Sequence, residues 1–214
     1  RINAHPHSSK SGRFTLVHNG VIENAAELKE ELLHVQLKSE TDTEVIVQLI
    51  EQLVNEGSTI EAAFRTTLEK LQGSYAIVLL DSQNDGTMYV AKNKSPLLIG
   101  LGDGFNVVAS DAMAMLGQTN RFIEIMDKEM VFVKQNKVSI KNLAGEPVER
   151  NPFTVEFSVN DIEKGPYPHY MLKEIEEQPA VIRKIISHYQ DKDGMIQFDQ
   201  AIQREITEAD RLYI

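Results

Sequence analysis

Cysteine is absent from these 214 residues. Its absence excludes disulfides and thiolate metal sites within them, and it also removes a cysteine nucleophile. It fits a cytosolic origin. No apolar run approaches the ~20 residues needed to span a bilayer, so no membrane partner is expected. A basic surplus is missing too: 22 Lys and Arg stand against 32 Asp and Glu, a net charge of -10. Phosphate backbones demand a basic footprint, so nucleic acid is not an expected partner, and the acidity reads as solubility. No serine occupies a Gly-x-Ser-x-Gly elbow, which leaves a serine hydrolase without support. The stretch Gly100-Leu101-Gly102-Asp103-Gly104 lacks the Lys-Ser/Thr of a phosphate loop and does not open a helix, so it reads as a hairpin turn. Arg1-Ile2-Asn3-Ala4 is neither an initiator methionine nor a signal peptide, and Asp210–Ile214 reads as a strand just beginning. Both ends lead to the expectation of a piece of a longer polypeptide.

What is present describes a folded chain. The sequence is 42% hydrophobic and 25% charged, near the averages for soluble domains, and its length suits one large domain or one domain plus part of another. Arg13–Val17 reads as a buried strand. Asn24, with Glu27 three residues on, reads as a capping box opening a helix to about Gln36, with Leu28, Leu32 and Val35 inward. Thr41 or Asp42 caps a second helix, whose apolar positions Val45, Ile46, Leu49, Ile50, Leu53 and Val54 keep helical spacing up to Gly57. Ser58 and Glu61 suggest another capping box, and that helix runs to Gly73.

The period then changes. Ser74–Leu80, Thr87–Lys92, Leu97–Leu101 and Phe105–Ala109 read as strands, with Asn84-Asp85-Gly86 as a turn. Ala76–Leu80 and Leu97–Ile99 are nearly continuous apolar runs, the mark of strands covered on both faces. Ser110–Leu116 reads as a short helix. Arg121–Met126, Glu129–Lys134 and Val138–Asn142 read as further antiparallel strands. Proline and glycine break up the segment that follows, giving residues 1–152 as one domain and 153–168 as a linker. A helical segment follows in 169–214, with Met171, Ile175, Ile182, Ile185 and Tyr189 along one stripe of His169–Gln190. Pro179 is expected to kink that helix or start a new one. The class is α+β.

Two strings carry chemistry. In Val17-His18-Asn19-Gly20, an Asn side-chain amide and a glycine N–H form a possible donor pair for a developing oxyanion. Asn-Gly is equally a strong turn signal, although a helix rather than a partner strand follows. In Ser39-Glu40-Thr41-Asp42-Thr43-Glu44-Val45, Asp42 is either a plain helix cap or an anionic seat for a substrate ammonium. If both readings hold, Asn19, Gly20 and Asp42 share one site. A metal at Glu40, Asp42 and Glu44 lacks a histidine at helical spacing. His5-Pro6-His7 with His18 is a weak zinc pattern, outweighed by ordinary hydrogen-bonded or surface histidines.

These strings, with Asn3-Ala4-His5-Pro6-His7, Lys94-Ser95-Pro96-Leu97, Ala109-Ser110-Asp111-Ala112 and His169-Tyr170-Met171-Leu172-Lys173-Glu174-Ile175, resemble the glutamine–fructose-6-phosphate aminotransferases, also called glucosamine-6-phosphate synthases. The resemblance runs in order along the chain. It implies an N-terminal-nucleophile hydrolase fold, a four-layer αββα sandwich truncated at its N-terminus, then a linker and the opening helices of a sugar-isomerase domain. It also implies glutamine and fructose 6-phosphate as substrates, no cofactor or metal, a cytoplasmic enzyme and a homodimer formed through the isomerase domain. By the same resemblance Asn19 and Gly20 form the oxyanion hole, Asp42 binds the glutamine ammonium, and His5 lies near the catalytic centre as a further substrate-binding residue. The family's first residue is a catalytic cysteine, and its His-Thr-Arg-Trp-Ala-Thr-His stretch supplies an arginine for the substrate carboxylate. Neither is found here, so these residues alone are expected to be inactive. The alternatives are another glutamine amidotransferase, or a non-catalytic binding fragment.

Overall fold

The computed structural model describes residues 2–32, 35–84, 86–155, 164–191 and 194–209. They fall into two compact units, Arg1–Glu156 and Phe157–Ile214. In the first unit the strands and helices follow in the order β1 (His7–Ser8), β2 (Phe14–Ile22), α1 (Ala25–Glu30), α2 (Asp42–Asn55), α3 (Ile60–Lys70), β3 (Gly73–Asp81) and β4 (Thr87–Asn93). Then come β5 (Leu98–Leu101), β6 (Asn106–Ala109), a single 3₁₀ turn at Ala112–Ala114, β7 (Arg121–Glu124), β8 (Glu129–Lys134), β9 (Lys137–Asn142), β10 (Pro147–Val148) and β11 (Phe153–Thr154). Seven strands form one sheet in the order β1-β2-β3-β4-β8-β9-β10, and four form a second in the order β11-β7-β5-β6. All the ladders are antiparallel.

The alternation of side chains along a strand explains why the central strands are apolar throughout. Tyr75, Ile77 and Leu79 of β3 pack with Tyr89, Ala91 and Met130 against Val45, Ile46, Leu49, Ile50, Phe64 and Leu68 of α2 and α3. Their neighbours Ala76, Val90, Val131 and Val133 turn the other way and meet Ile99 and Ile123 of the small sheet, with Leu97 and Ile125 just beyond its strands. The unit is thus layered as helices, large sheet, small sheet. Among its described residues no helix longer than the 3₁₀ turn follows on the small sheet's side, so three of the four expected layers are observed.

Several local expectations change. β2 does not stop at Val17. It runs through Asn19 and Gly20 to Ile22, paired residue by residue with β3. Helix α1 is only six residues long, and Val35 lies beyond it. Asn24 stands at its N-cap position without a side-chain cap bond. Its amide instead reaches the α3–β3 junction, donating to the Lys70 carbonyl at 2.9 Å and accepting from the Gln72 N–H at 3.0 Å. Thr41, not Asp42, caps α2, accepting from the Glu44 N–H at 3.3 Å. Thr59, not Ser58, caps α3. Phe153 and Thr154 pair with β7 rather than lying in a linker, while 156–163 fall outside the described residues, as do Asp85 and 210–214.

In the second unit α4 (Tyr170–Tyr189) continues through Pro179 without a break, and α5 (Gln200–Glu208) follows. The stripe of Met171, Ile175, Ile182 and Ile185 on α4 is exposed. No helix among the described residues is long and apolar enough to cross a membrane.

Helix α2 buries polar groups as well as apolar ones, because the loop between β1 and β2 lies across it. The Glu51 carboxylate accepts from the Ser9 and Ser11 hydroxyls and from the Ser11 N–H. Gln48 Oε1 accepts from the Lys10 N–H at 2.9 Å. Burial would raise the Glu51 carboxyl, but these donors outweigh it and hold the group below its ordinary value. A carboxyl depressed on folding stabilises fully above its unfolded pKa of about 4.3 and loses that stabilisation as pH falls through the lower folded value. Glu51→Gln is therefore expected to lower stability at pH 7 by about 1–3 kcal/mol. It should also flatten the decline in thermal midpoint between pH 5 and pH 2, which unfolding scans across that range will measure.

Candidate functional site

Along β2, Phe14, Leu16, His18 and Ile22 are buried, whereas Val17, Asn19 and Val21 are exposed. The buried set faces the helices. Asn19 belongs to the opposite face and lines a cavity with His5, Val17, Ala76, Leu97 and Ser110. β1 pairs with β2 only at Thr15 and Leu16. From His18 onward the edge of β2 away from β3 has no strand partner among the described residues. Antiparallel alternation sends the N–H groups of even-numbered residues to that edge: the Phe14 carbonyl receives the Ser9 N–H there at 2.9 Å, and the Ile22 N–H leaves it for Asp42. The Gly20 N–H shares this parity and faces the open edge.

Gly20 has a φ of +138°, a region glycine adopts without a steric cost. A Cβ there would fall 2.1 Å from the Ser74 carbonyl oxygen. The glycine therefore permits the strand to pass close to β3, and Asn19-Gly20 is not a turn.

Asp42 is the first residue of α2, and its side chain does not close the helix. Oδ2 accepts from the Ile22 N–H at 2.8 Å. Oδ1 lies 3.4 Å from the Thr43 hydroxyl and 3.9 Å from His18 Nδ1. The side chain keeps 25% of its surface open, enough for a ligand to reach it, and borders a cavity with Ala25, Lys29, Leu37 and Ser39. So Asn19 and Asp42 border the same strand but not the same cavity. With a rise of about 3.3 Å per residue, the three steps along β2 place Asn19 ~10 Å from Ile22, whose N–H holds Asp42.

Around Asp42 lies a network that sequence reasoning missed. Thr43 Oγ1 is 3.1 Å from His5 Nε2 and 3.0 Å from His18 Nδ1. Thr41 Oγ1 is 3.2 Å from His7 Nε2. The two histidines of His5-Pro6-His7 thus dock on the two threonines that flank Asp42. The only signal was the alternation Thr41-Asp42-Thr43 at a helix start. Burial holds the His18 imidazole below its ordinary pKa, against the pull of the Asp42 charge. His7 is likewise lowered, by burial and by His5. His18 is therefore neutral at pH 7 and leaves the Asp42 charge unpaired by an imidazolium. Among the described residues no cluster of three or more His, Asp or Glu is arranged to hold a metal ion.

The other two acids of the string are placed differently. Glu44 is buried and accepts from the Lys38 N–H at 2.9 Å and from the Ser39 N–H and hydroxyl at 2.6 Å each. Glu40 is exposed.

An outward-facing strand edge, a glycine required by the close approach of β3 and a partly accessible carboxylate nearby define the site. A model of the glutamine amidotransferase domain matches residues 2–117, and the chain belongs to that family. Over its whole length it is 63% identical to the glutamine–fructose-6-phosphate aminotransferase (isomerizing) of Geobacillus kaustophilus and 64% identical to that of Bacillus licheniformis. The chain spans 36% of the length of these curated relatives. The glutamine phosphoribosylpyrophosphate amidotransferase of B. subtilis, solved with ADP and GMP, superposes with a TM-score of 0.56 at 28% identity, covering 66% of this chain and 32% of that one. The mixed α/β architecture is consistent with the N-terminal-nucleophile type of such amidotransferases.

The close approach at Gly20 separates two glycines experimentally. Gly20→Ala should cost more than about 4 kcal/mol, since backbone must move. Gly104→Ala, at a φ of +76° with nothing within 4 Å of its Cβ, should cost only about 1–2 kcal/mol. Thermal unfolding of the two variants measures the difference.

Proposed function

We propose that the protein to which these residues belong transfers the amide nitrogen of glutamine to fructose 6-phosphate, giving glucosamine 6-phosphate and glutamate. In this reading the first unit belongs to a four-layer glutaminase domain. The helices of the second unit open a sugar-isomerase domain, through which the enzyme forms a cytoplasmic homodimer. No cofactor takes part. The Asn19 side chain and the Gly20 N–H donate to the oxyanion formed as the glutamine amide is attacked, and Asp42 receives the α-ammonium. His5, which borders the Asn19 cavity, lies on the substrate side.

The observation that supports these roles best is the spacing along the open edge of β2. An extended glutamine separates its amide oxygen from its α-nitrogen by ~6 Å, judged from standard bond lengths. A hydrogen bond of about 2.9 Å at each end brings the span to ~12 Å, close to the ~10 Å between the Asn19 and Ile22 positions. One ligand crossing the strand edge can therefore touch both ends. Nucleophilic amide hydrolysis also needs an activated nucleophile with its base, and these residues contain no cysteine.

Steady-state glutamine hydrolysis by the full-length protein separates the roles. Asn19→Ala should lower kcat by ~10²–10³ with little change in KM, because an oxyanion donor acts on the transition state. Asp42→Asn should chiefly raise KM, since the ammonium loses its counter-charge in ground and transition states alike. The 214 residues alone should release no ammonia above a buffer blank. An Asp42→Asn enzyme with unchanged kinetics removes the ammonium assignment.

A further inference from the structure

We infer that Thr43 is a positioning residue for Asp42, its hydroxyl held between the His5 and His18 imidazoles so that the carboxylate is aimed at its ligand. The inference rests on the reading of Asp42 as the ammonium seat. A hydroxyl has one proton to donate and two lone pairs to accept with. Thr43 Oγ1 meets three polar atoms: His5 Nε2 at 3.1 Å, His18 Nδ1 at 3.0 Å and Asp42 Oδ1 at 3.4 Å. A carboxylate only accepts. The one assignment that satisfies all three has Thr43 donating to Asp42 while both imidazoles donate to Thr43. His18 then carries its proton on Nδ1. That leaves Nε2 bare, and no acceptor meets it in hydrogen-bond geometry; the Ser74 main chain lies near the ring and pulls its pKa upward, short of that geometry.

The consequence for Asp42 is geometric. Its two oxygens are tethered from two elements, Oδ2 by the β2 main chain at Ile22 and Oδ1 by Thr43. On its other side Thr41 is held by His7. The carboxylate plane is thereby set while its remaining lone pairs stay available. A valine at position 43 would keep the β-branched shape and remove the hydroxyl alone.

Glutamine hydrolysis by the full-length protein tests this with four variants: Thr43→Val, Thr43→Ser, Asp42→Asn and the double Thr43→Val/Asp42→Asn. Thr43→Val is expected to raise KM about fivefold, the scale of one lost hydrogen bond, with kcat within about twofold. Thr43→Ser should restore KM. In the Asp42→Asn background, Thr43→Val should add nothing further to KM, because a residue acting through another loses its effect when that other is neutralised. If Thr43→Val does not fold, Thr43→Ala takes its place with the same expected rise. An unchanged KM in the position-43 variant beside a raised KM in Asp42→Asn overturns the inference alone, and so does full additivity in the double variant. An unchanged KM in Asp42→Asn defeats the ammonium reading itself.

Discussion

The pairing of β2 with β3, from Phe14 opposite Asp81 to Ile22 opposite Gly73, is the constraint on which the rest depends. It fixes the parity of every side chain on β2, sending His18 toward the helices and Asn19 toward the small sheet. It also commits one row of main-chain donors to β3 and leaves the other row facing outward. Arg13 anchors the outer end of the pair with two bonds to the buried Asp81 carboxylate, at 2.9 and 2.8 Å. Gly20 keeps the pairing continuous where any side chain would meet the Ser74 carbonyl. A turn at Asn19-Gly20 would have separated the amide from the Ile22 N–H that holds Asp42.

Helix α2 supplies the second half of the arrangement. Its first turn carries Asp42 and Glu44, Glu40 precedes its cap, and the fold gives each of the three acids a different fate. Glu44 is consumed by the loop at Lys38 and Ser39, whose hydrogen bonds outweigh the cost of burial and keep it ionised. Glu40 is solvated. Asp42 alone is half-committed: the Ile22 N–H and the Thr43 hydroxyl each hold one oxygen, and the side chain remains partly open. A carboxylate that is oriented yet not saturated can bind a cationic group at little reorganisation cost. A neutral His18 beside it leaves that charge uncancelled.

Much of this architecture was legible in sequence because the two sheets and the helix layer bury different faces of the same strands. Ala76–Leu80 reads as doubly covered, and Tyr75, Ile77 and Leu79 do pack on helices while Ala76 meets the small sheet, although Leu80 at the end of the run is exposed. The amphipathic pattern of α2 was equally clear. The extent of β2 was not, because Asn-Gly carries the same local signal in a hairpin and in a strand whose partner lies some fifty residues away. Asn24 misled for a related reason: its side chain bonds to Lys70 and Gln72, a tertiary contact that no local pattern reports. The candidate residues Asn19, Gly20, Asp42 and His5 were all nameable from the chain. The Thr43 hub was not, since the histidines that define it come from separate segments. Nor could spacing along the chain show that Asn19 and Asp42 open on different cavities, since strand pleat sets the face of Asn19 while the start of α2 sets that of Asp42.

The central claim is that one glutamine-sized ligand crosses the open edge of β2, joining the Asn19-Gly20 donors to the Asp42 carboxylate. A crystal structure of the full-length protein with bound glutamate tests it most directly. The account predicts the ligand ammonium within hydrogen-bond distance of Asp42, and its side-chain carboxylate between the Asn19 amide and the Gly20 N–H. A glutamate bound elsewhere, or one whose ammonium is held by other groups while Asp42 keeps only its bond to Ile22, would contradict it.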